Sequence, residues 1–298
     1  MSWRARLLTL AALVIMGLVG PAQAAGVVCV TDDVGREVCL DAPAQRIVAL
    51  SPGVTELLYA AGAGERLVGA VGFSDYPAAA ASLPRVGSYD RLDLEALLAL
   101  EPDLVVAWQA GNPQEQLARL PTLGLPVFFS DVDDFAGIAE SLERFGELAD
   151  TSAVADPAAA ALRTEVAALR KRYADAEPVP VFYEVWEQPL MTVNGEHWIS
   201  HSLELCGGEN LFADASALVP RIGVEAVLAR DPEAIITGGM GKADSGWLEA
   251  WRDYPRLTAV QRDNLFFIDP NLVQRAAPRL VEGTRRLCEH LEVARERR

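Results

Sequence analysis

The chain has 298 residues, half of them apolar, and a formal net charge of −16 at pH 7. That length suffices for one large core or two medium ones, and the apolar share excludes a disordered chain. So acidic a balance repels phosphate backbones, which argues against nucleic-acid binding and fits basic partners.

In chain order, Arg4 and Arg6 come first, at the start of an apolar run over residues 7–20, and Ala22-Gln23-Ala24 follows as a small-x-small cleavage signature. The run is shorter than the ~20 apolar residues that span a bilayer. Residues 1–24 are therefore expected to be a signal peptide cut near Ala24, and the mature chain to be exported. Removing them takes away two arginines and no acid, leaving a charge of about −18. Four cysteines in an oxidising compartment allow three pairings. Cys29 and Cys39 flank a turn, Asp32-Asp33-Val34-Gly35, between two short β-like runs, so a cross-strand bridge is geometrically natural and leaves Cys206 with Cys288. No CxxC is present, and no metal site is expected.

Alternating β and α patterns follow. Strands are expected at 46–51, 67–71, 85–87, 104–108 and 126–130, and helices at 52–61, 92–100, 113–123 and 133–149; together with the hairpin they make an N-terminal α/β lobe, residues 25–152. Asp156 suits an N-cap and Pro157 a first helical position. The helix they start runs to Ala174, roughly 27 Å at 1.5 Å per residue, and is expected to connect two lobes over residues 153–176. A C-terminal lobe, 177–298, should contain strands at 181–186, 234–237 and 264–269 and helices at 200–205, 244–251 and 276–293. The basic end, 295–298, reads as a frayed, solvated tail.

A pattern recurs within this plan. Residues 93–106, DLEALLALEPDLVV, and 223–236, GVEAVLARDPEAII, share five of fourteen positions, among them Glu95/Glu225, and most others exchange like for like. Each copy reads as a short helix, a turn at a proline and an acid, and a buried strand. Two copies suggest two similar α/β lobes joined by one long helix, with a ligand cleft between them.

Chemistry-bearing motifs are sparse. GxSxG, HExxH, P-loop and GxGxxG signatures are all missing, so no enzyme activity is expected. Of three histidines, His197 and His201 stand four apart, but Trp198-Ile199-Ser200 reads as a turn leading to an N-cap at Ser200, which assigns the pair to a polar rim. Aromatic residues at strand ends say more: Phe73, Tyr76, Tyr89 and Trp108 sit where α/β lobes bind ligands, and each offers a flat face to a planar molecule. From the second lobe, Trp186, Trp198 and Arg275 are candidates to face the same cleft.

The run RIVALSPGVTELLYAAGAGERLVGAVGFSDYP resembles the first lobe of cobalamin-binding periplasmic proteins, substrate carriers of ATP-binding-cassette importers in the helical-backbone class shared with siderophore and haem binders. VGSYDRLDLEALLALEPDLVVAWQAGNP, LELCGGENLF and QRAAPRLVEGTRRLC extend the likeness over nearly all of residues 44–291; SDYP, AWQAGNP and CGGEN lie nearest the cobalamin branch. The resemblance implies that Phe73, Tyr89 and Trp108 contact the corrin, and places Val185, Val219, Asn271 and Arg275 at second-lobe contact positions. Val219 stands where relatives carry Trp, and Asn271 where they carry Asp. Glu95 and Glu225 match glutamates that dock onto permease arginines, and Cys206 and Cys288 match the family's second-lobe disulfide. The implied function is a monomeric periplasmic carrier that binds a corrinoid without any cofactor of its own and delivers it to the permease subunits. A ferric siderophore or haem is the alternative cargo within the same class.

Overall fold

The computed structural model describes residues 26–239 and 246–298. The signal peptide, its cleavage site and the first residues of the helix expected at 244–251 lie outside them. Strands β1 (Val28–Thr31) and β2 (Glu37–Leu40) form an antiparallel hairpin with Cys29 opposite Cys39. Asp32 folds its turn by accepting from Val34 and Arg36 N–H, and Gly35 supplies the left-handed residue at φ +78°. The hairpin is bridged by Cys29–Cys39, and a second disulfide joins Cys206 to Cys288.

Two parallel four-stranded sheets follow, and their topologies are the same. The first contains β3 (Ile47–Ala49), β4 (Leu67–Ala70), β7 (Leu104–Trp108) and β8 (Val127–Ser130), in spatial order β4-β3-β7-β8. A short hairpin, β5 (Gly87–Ser88) with β6 (Arg91–Leu92), intervenes at its margin. The second sheet contains β9 (Val179–Glu184), β10 (Gly208–Asn210), β11 (Ala234–Thr237) and β12 (Leu265–Phe267), in order β10-β9-β11-β12. In both, the first strand is central, the second lies at one edge, and the third and fourth fill the other side.

Helices α1 (Pro52–Ala60), α2 (Leu94–Ala99), α3 (Gln114–Arg119) and α4 (Phe135–Leu148) belong to the first sheet. Helices α6 (Trp198–Leu205), α7 (Val224–Arg230), α8 (Gly246–Trp251), α9 (Thr258–Gln261), α10 (Pro270–Val273) and α11 (Leu280–Glu296) belong to the second. Between them runs α5 (Ser152–Arg172). It begins a turn before the proposed cap, so Asp156 is not an N-cap and Pro157 lies inside the helix. Thr151 is the true boundary residue, its Oγ1 donating to the Ala61 carbonyl rather than to α5.

Strand periodicity sorts the core. Leu104 and Val106 face one side of β7, Val105 and Ala107 the other; Val181 and Tyr183 oppose Phe182 on β9 in the same way. The inner faces of both sheets merge through α4, α5, α6 and α11 into one continuous core, while each outer face closes a smaller one under α2 or α7. Helix α5 buries Ala155, Ala159, Leu162, Val166 and Leu169 in the shared core and is tied outward by Arg163–Glu143 to α4 and Glu165–Arg285 to α11.

The basic end is not a loose tail. Arg295 donates to the carbonyls of Glu177, Cys206 and Gly207, Arg297 to that of Asp263, and Arg298 pairs with Glu177 and Glu233. Carbonyls just past the end of α6 and two acids supply what the arginines need, and they outweigh fraying.

Candidate functional site

The carboxyl ends of the strands carry most of the predicted residues. Just past β4, Phe73 is 69% exposed and held at φ +63°. A bulky side chain in that region is strained by sterics, and such strain concentrates at ligand-holding sites. Tyr76, exposed on the same loop, lies under the Arg279 guanidinium, 3.7 Å from its centroid. Tyr89 projects from the tip of the β5–β6 hairpin rather than from the end of a strand of the main sheet; the expected third strand reduces to a single bridge, Arg85 with Ala70. Its ring stands 6.1 Å from that of Trp108 at the end of β7.

A buried asparagine fixes that pair. Asn112 Oδ1 accepts from Trp108 N–H at 2.7 Å, while its Nδ2 donates to the carbonyls of Leu50 (2.9 Å) and Tyr89 (2.7 Å). One side chain thus joins the ends of β3 and β7 to the hairpin tip. The Trp108 indole lies flat over Gly111, where any Cβ would come within 2.0 Å of the ring. The AWQAGN run placed glycine and asparagine after the strand, but only the fold shows that both serve the tryptophan.

In the second lobe, Val185 is half-buried past β9, and Trp186 meets Trp247 of α8 edge to face at 5.9 Å. Val219 is half-buried in a strip paired to residues 192–194 through the carbonyls of Leu218 and Pro220. Trp198 lies in the first turn of α6, half-buried, with Nε1 donating to the Val273 carbonyl. Asn271 is exposed, and both its N–H and Nδ2 donate to Asp269, the cap of α10.

His197, expected at a rim ahead of a cap at Ser200, is itself the buried N-cap of α6. Its Nδ1 accepts from Ile199 N–H at 3.1 Å, and its ring lies 3.9 Å from that of Trp198. Burial drives its pKa down to about 3, so the ring stays neutral. Glu184 at the end of β9 is buried too. Its Oε2 accepts from Trp251 Nε1–H at 2.9 Å, and burial pushes its carboxyl up to about 7.

Arg275 joins the lobes. Its Nη1 meets Glu56 Oε1 of α1 at 2.7 Å and Asp75 at 3.0 Å, and its Nη2 donates to the Phe73 carbonyl at 3.1 Å. Arg279 takes the same glutamate through two bonds, 2.6 and 2.8 Å. Glu56 is buried, so its charge is compensated by two guanidiniums from the opposite lobe, in the forked geometry arginine favours. Sequence reading missed Glu56 and Arg279, although a lone acid in the apolar run VTELLYAA and arginines four apart were both signals. Trp247 lay unremarked in the expected α8 helix.

Each lobe thus carries an aromatic pair, Tyr89 with Trp108 and Trp186 with Trp247, and the lobes are joined by the ion pairs of Arg275 and Arg279 with Glu56. A cavity of about 570 Å³ along α5 is lined by Leu162, Val166, Tyr173, His201 and Leu205 and contains none of these aromatics. Glu95 and Glu225 are exposed on α2 and α7.

The chain's relatives agree with this architecture. Residues 47–272 match the family described as periplasmic binding protein. The vitamin B12-binding protein of Vibrio parahaemolyticus is 35% identical over 256 residues, covering 86% of this chain and 92% of the relative. The Yersinia pestis protein of the same description is 36% identical over 248 residues, 83% and 86% of the two chains. Among solved structures, the periplasmic vitamin B12-binding protein of Vibrio cholerae superposes with a TM-score of 0.79 at 35% identity, covering 85% of this chain and 99% of that one. A periplasmic heme-binding protein from Roseiflexus shares the fold, with a TM-score of 0.74 at 23% identity. The chain belongs to the periplasmic binding protein family.

Proposed function

We propose that this protein captures cobalamin or a close corrinoid in the cleft between its lobes, in the periplasm, and delivers it as a monomer to the permease subunits of an ABC-type importer. The observation that carries the reading is the similarity, over 83–86% of the chain, to proteins described as vitamin B12-binding, together with Phe73 and Trp108 at strand ends of the first lobe and Tyr89 on the hairpin tip beside Trp108. Flat, rigid aromatic faces suit a macrocycle and lose little conformational entropy on binding it. The carrier binds, docks and releases without bond chemistry. Glu95 and Glu225, one per lobe on equivalent helices, are the contacts toward the importer.

Calorimetric titration of ligand-free protein with cyanocobalamin tests the assignment, with haem and a ferric siderophore as competitors. Saturation at one cobalamin per chain is the expected result. Absence of heat with cobalamin beside saturable heat with haem or the siderophore would overturn it.

A further inference from the structure

The N-terminal hairpin does more than contribute Val30, Val38 and Leu40 to the shared core. Strand β8 is an edge of the first sheet, and an edge presents unpaired N–H and C=O groups. Residues 32–36, at the hairpin turn, take them. Asp33 N–H donates to the Phe129 carbonyl at 3.0 Å, and Arg36 Nη2 to that of Val127 at 3.0 Å. Asp32 Oδ2 accepts from Phe129 N–H at 3.4 Å, and Asp33 Oδ2 from Asp131 N–H at 2.7 Å. Arg36 also lies over the Phe129 ring, 4.1 Å from its centroid, and Arg144 of α4 pairs with Asp33 at 2.6 Å.

The contacts continue from this edge to the site. Asp131 stands one residue past β8 and is half-buried. Its Oδ1 accepts from Ala110 N–H at 3.3 Å, in the tight loop between Trp108 and Asn112. Burial raises the Asp131 pKa, and the Ala110 N–H and the Trp108 side chain act against that rise. Asn112 holds the loop at Trp108 N–H, and Asp131 holds it at Ala110. The second lobe supplies a comparison. Its sheet has the same topology, but among the described residues no hairpin borders its edge strand β12, and Gly238 stands where the first lobe has Trp108. Hairpin and tryptophan occur in one lobe and are both missing from the other.

We propose that Asp131 is a positioning residue for the corrinoid site, and that the disulfide-closed hairpin, through Asp33, holds it in place for that task. Asp33 fixes the backbone of Asp131, Asp131 fixes Ala110, and the Trp108 indole is presented to a flat ligand in one orientation. A loop free to move would have to be ordered on binding, at a cost in affinity. The inference rests on the corrinoid reading of the site and adds to it residues that touch no ligand.

The test is calorimetry with cyanocobalamin, and a melting temperature, for the wild-type chain, Asp131→Ala, Asp131→Asn, Asp33→Ala, Trp108→Ala, and Trp108→Ala with Asp131→Ala. Asp131→Ala and Asp33→Ala should each weaken binding about fivefold. Asp131→Asn, which retains an acceptor for Ala110 N–H, should restore it. Asp131→Ala should add nothing once Trp108 is gone, because the two act as one unit. An equal loss on both backgrounds would show that Asp131 does not act through Trp108, and would overturn the proposal. Wild-type affinity in Asp131→Ala beside a lowered melting temperature would reduce the residue to covering the sheet edge, and would overturn it too. Wild-type affinity in Asp33→Ala alone would remove the hairpin's part; should that variant fail to fold, the Asp131 series decides. No binding of cyanocobalamin by the wild-type chain would overturn the cargo, and this inference with it.

Discussion

The two lobes share a topology and a helix–turn–strand unit, yet they differ where that unit's strand ends. In the first lobe, β7 ends in Trp108, clamped by Asn112 and laid over Gly111. The corresponding position after β11 is Gly238, where a Cβ would press on the Tyr183 hydroxyl and the Gln274 amide. The second lobe draws its aromatics from elsewhere, Trp186 and Trp247. The helices differ less. Asp93 caps α2 with its side chain, whereas Gly223 begins α7 without one and the Glu225 carboxylate lies against it. The duplicated unit has kept the exposed helix positions Glu95/Glu225, Leu98/Leu228 and Ala99/Ala229 alike, while the residue at or just past its strand's end differs, tryptophan at 108 and glycine at 238.

The largest contrast should appear in the disulfides. Cys206–Cys288 closes a separation of 82 residues within the second lobe, and Cys29–Cys39 only 10 in the hairpin on the first. On the chain-entropy account these contribute about 4.5 and about 2.7 kcal/mol. Cys206→Ser with Cys288→Ser should therefore shift the urea midpoint well beyond Cys29→Ser with Cys39→Ser. Equal shifts would break the contrast.

A second distinction concerns pH. Glu184 of the second lobe retains its proton in the folded state up to about 7, while the unfolded carboxyl loses it near the ordinary glutamate value of 4.5. The folded state then binds more protons, so stability is full below pH 4.5 and falls as pH rises to about 7, by about 3 kcal/mol. His197 acts in the opposite sense: neutral when folded, it loses stability as pH drops from 6.5 toward 3. Glu184→Gln, which retains an acceptor for Trp251, should raise the melting temperature at pH 8 and leave it unchanged at pH 4. A uniform gain at both would show that ionisation is not the cause.

The smallest effect belongs to the cleft. Trp108→Ala should cost about 2 kcal/mol of corrinoid binding, roughly thirtyfold in affinity, with melting temperature little changed because the indole is half-exposed. Trp186→Ala reports on the other wall. Calorimetry of both variants measures how unequally the walls contribute, and an unchanged affinity for Trp108→Ala would place it outside the site.

Much of this was legible in the sequence because its signals are local. The repeat, the β-α alternation, the hairpin cysteines and the aromatics past β4 and at the end of β7 all follow from neighbouring residues. Misread features depend on distant partners. The start of α5 is set by what precedes Asp156, and the tail arginines are ordered by carbonyls and acids 34 to 121 residues away. Glu56 looked like a stray acid in an apolar helix because its compensating charges lie more than 200 residues on. The cap at His197 was hidden by two potent local candidates, Ser200 and a tryptophan suited to a turn.

The long helix α5 also governs how the whole chain withstands stress. Its buried side is a common beam on which the inner faces of both sheets rest, so the lobes do not own separate reserves of stability. A substitution that loosens Leu162 or Val166 weakens both halves at once, and a fault beneath one sheet is felt beneath the other. Cooperativity here is a property of the shared beam.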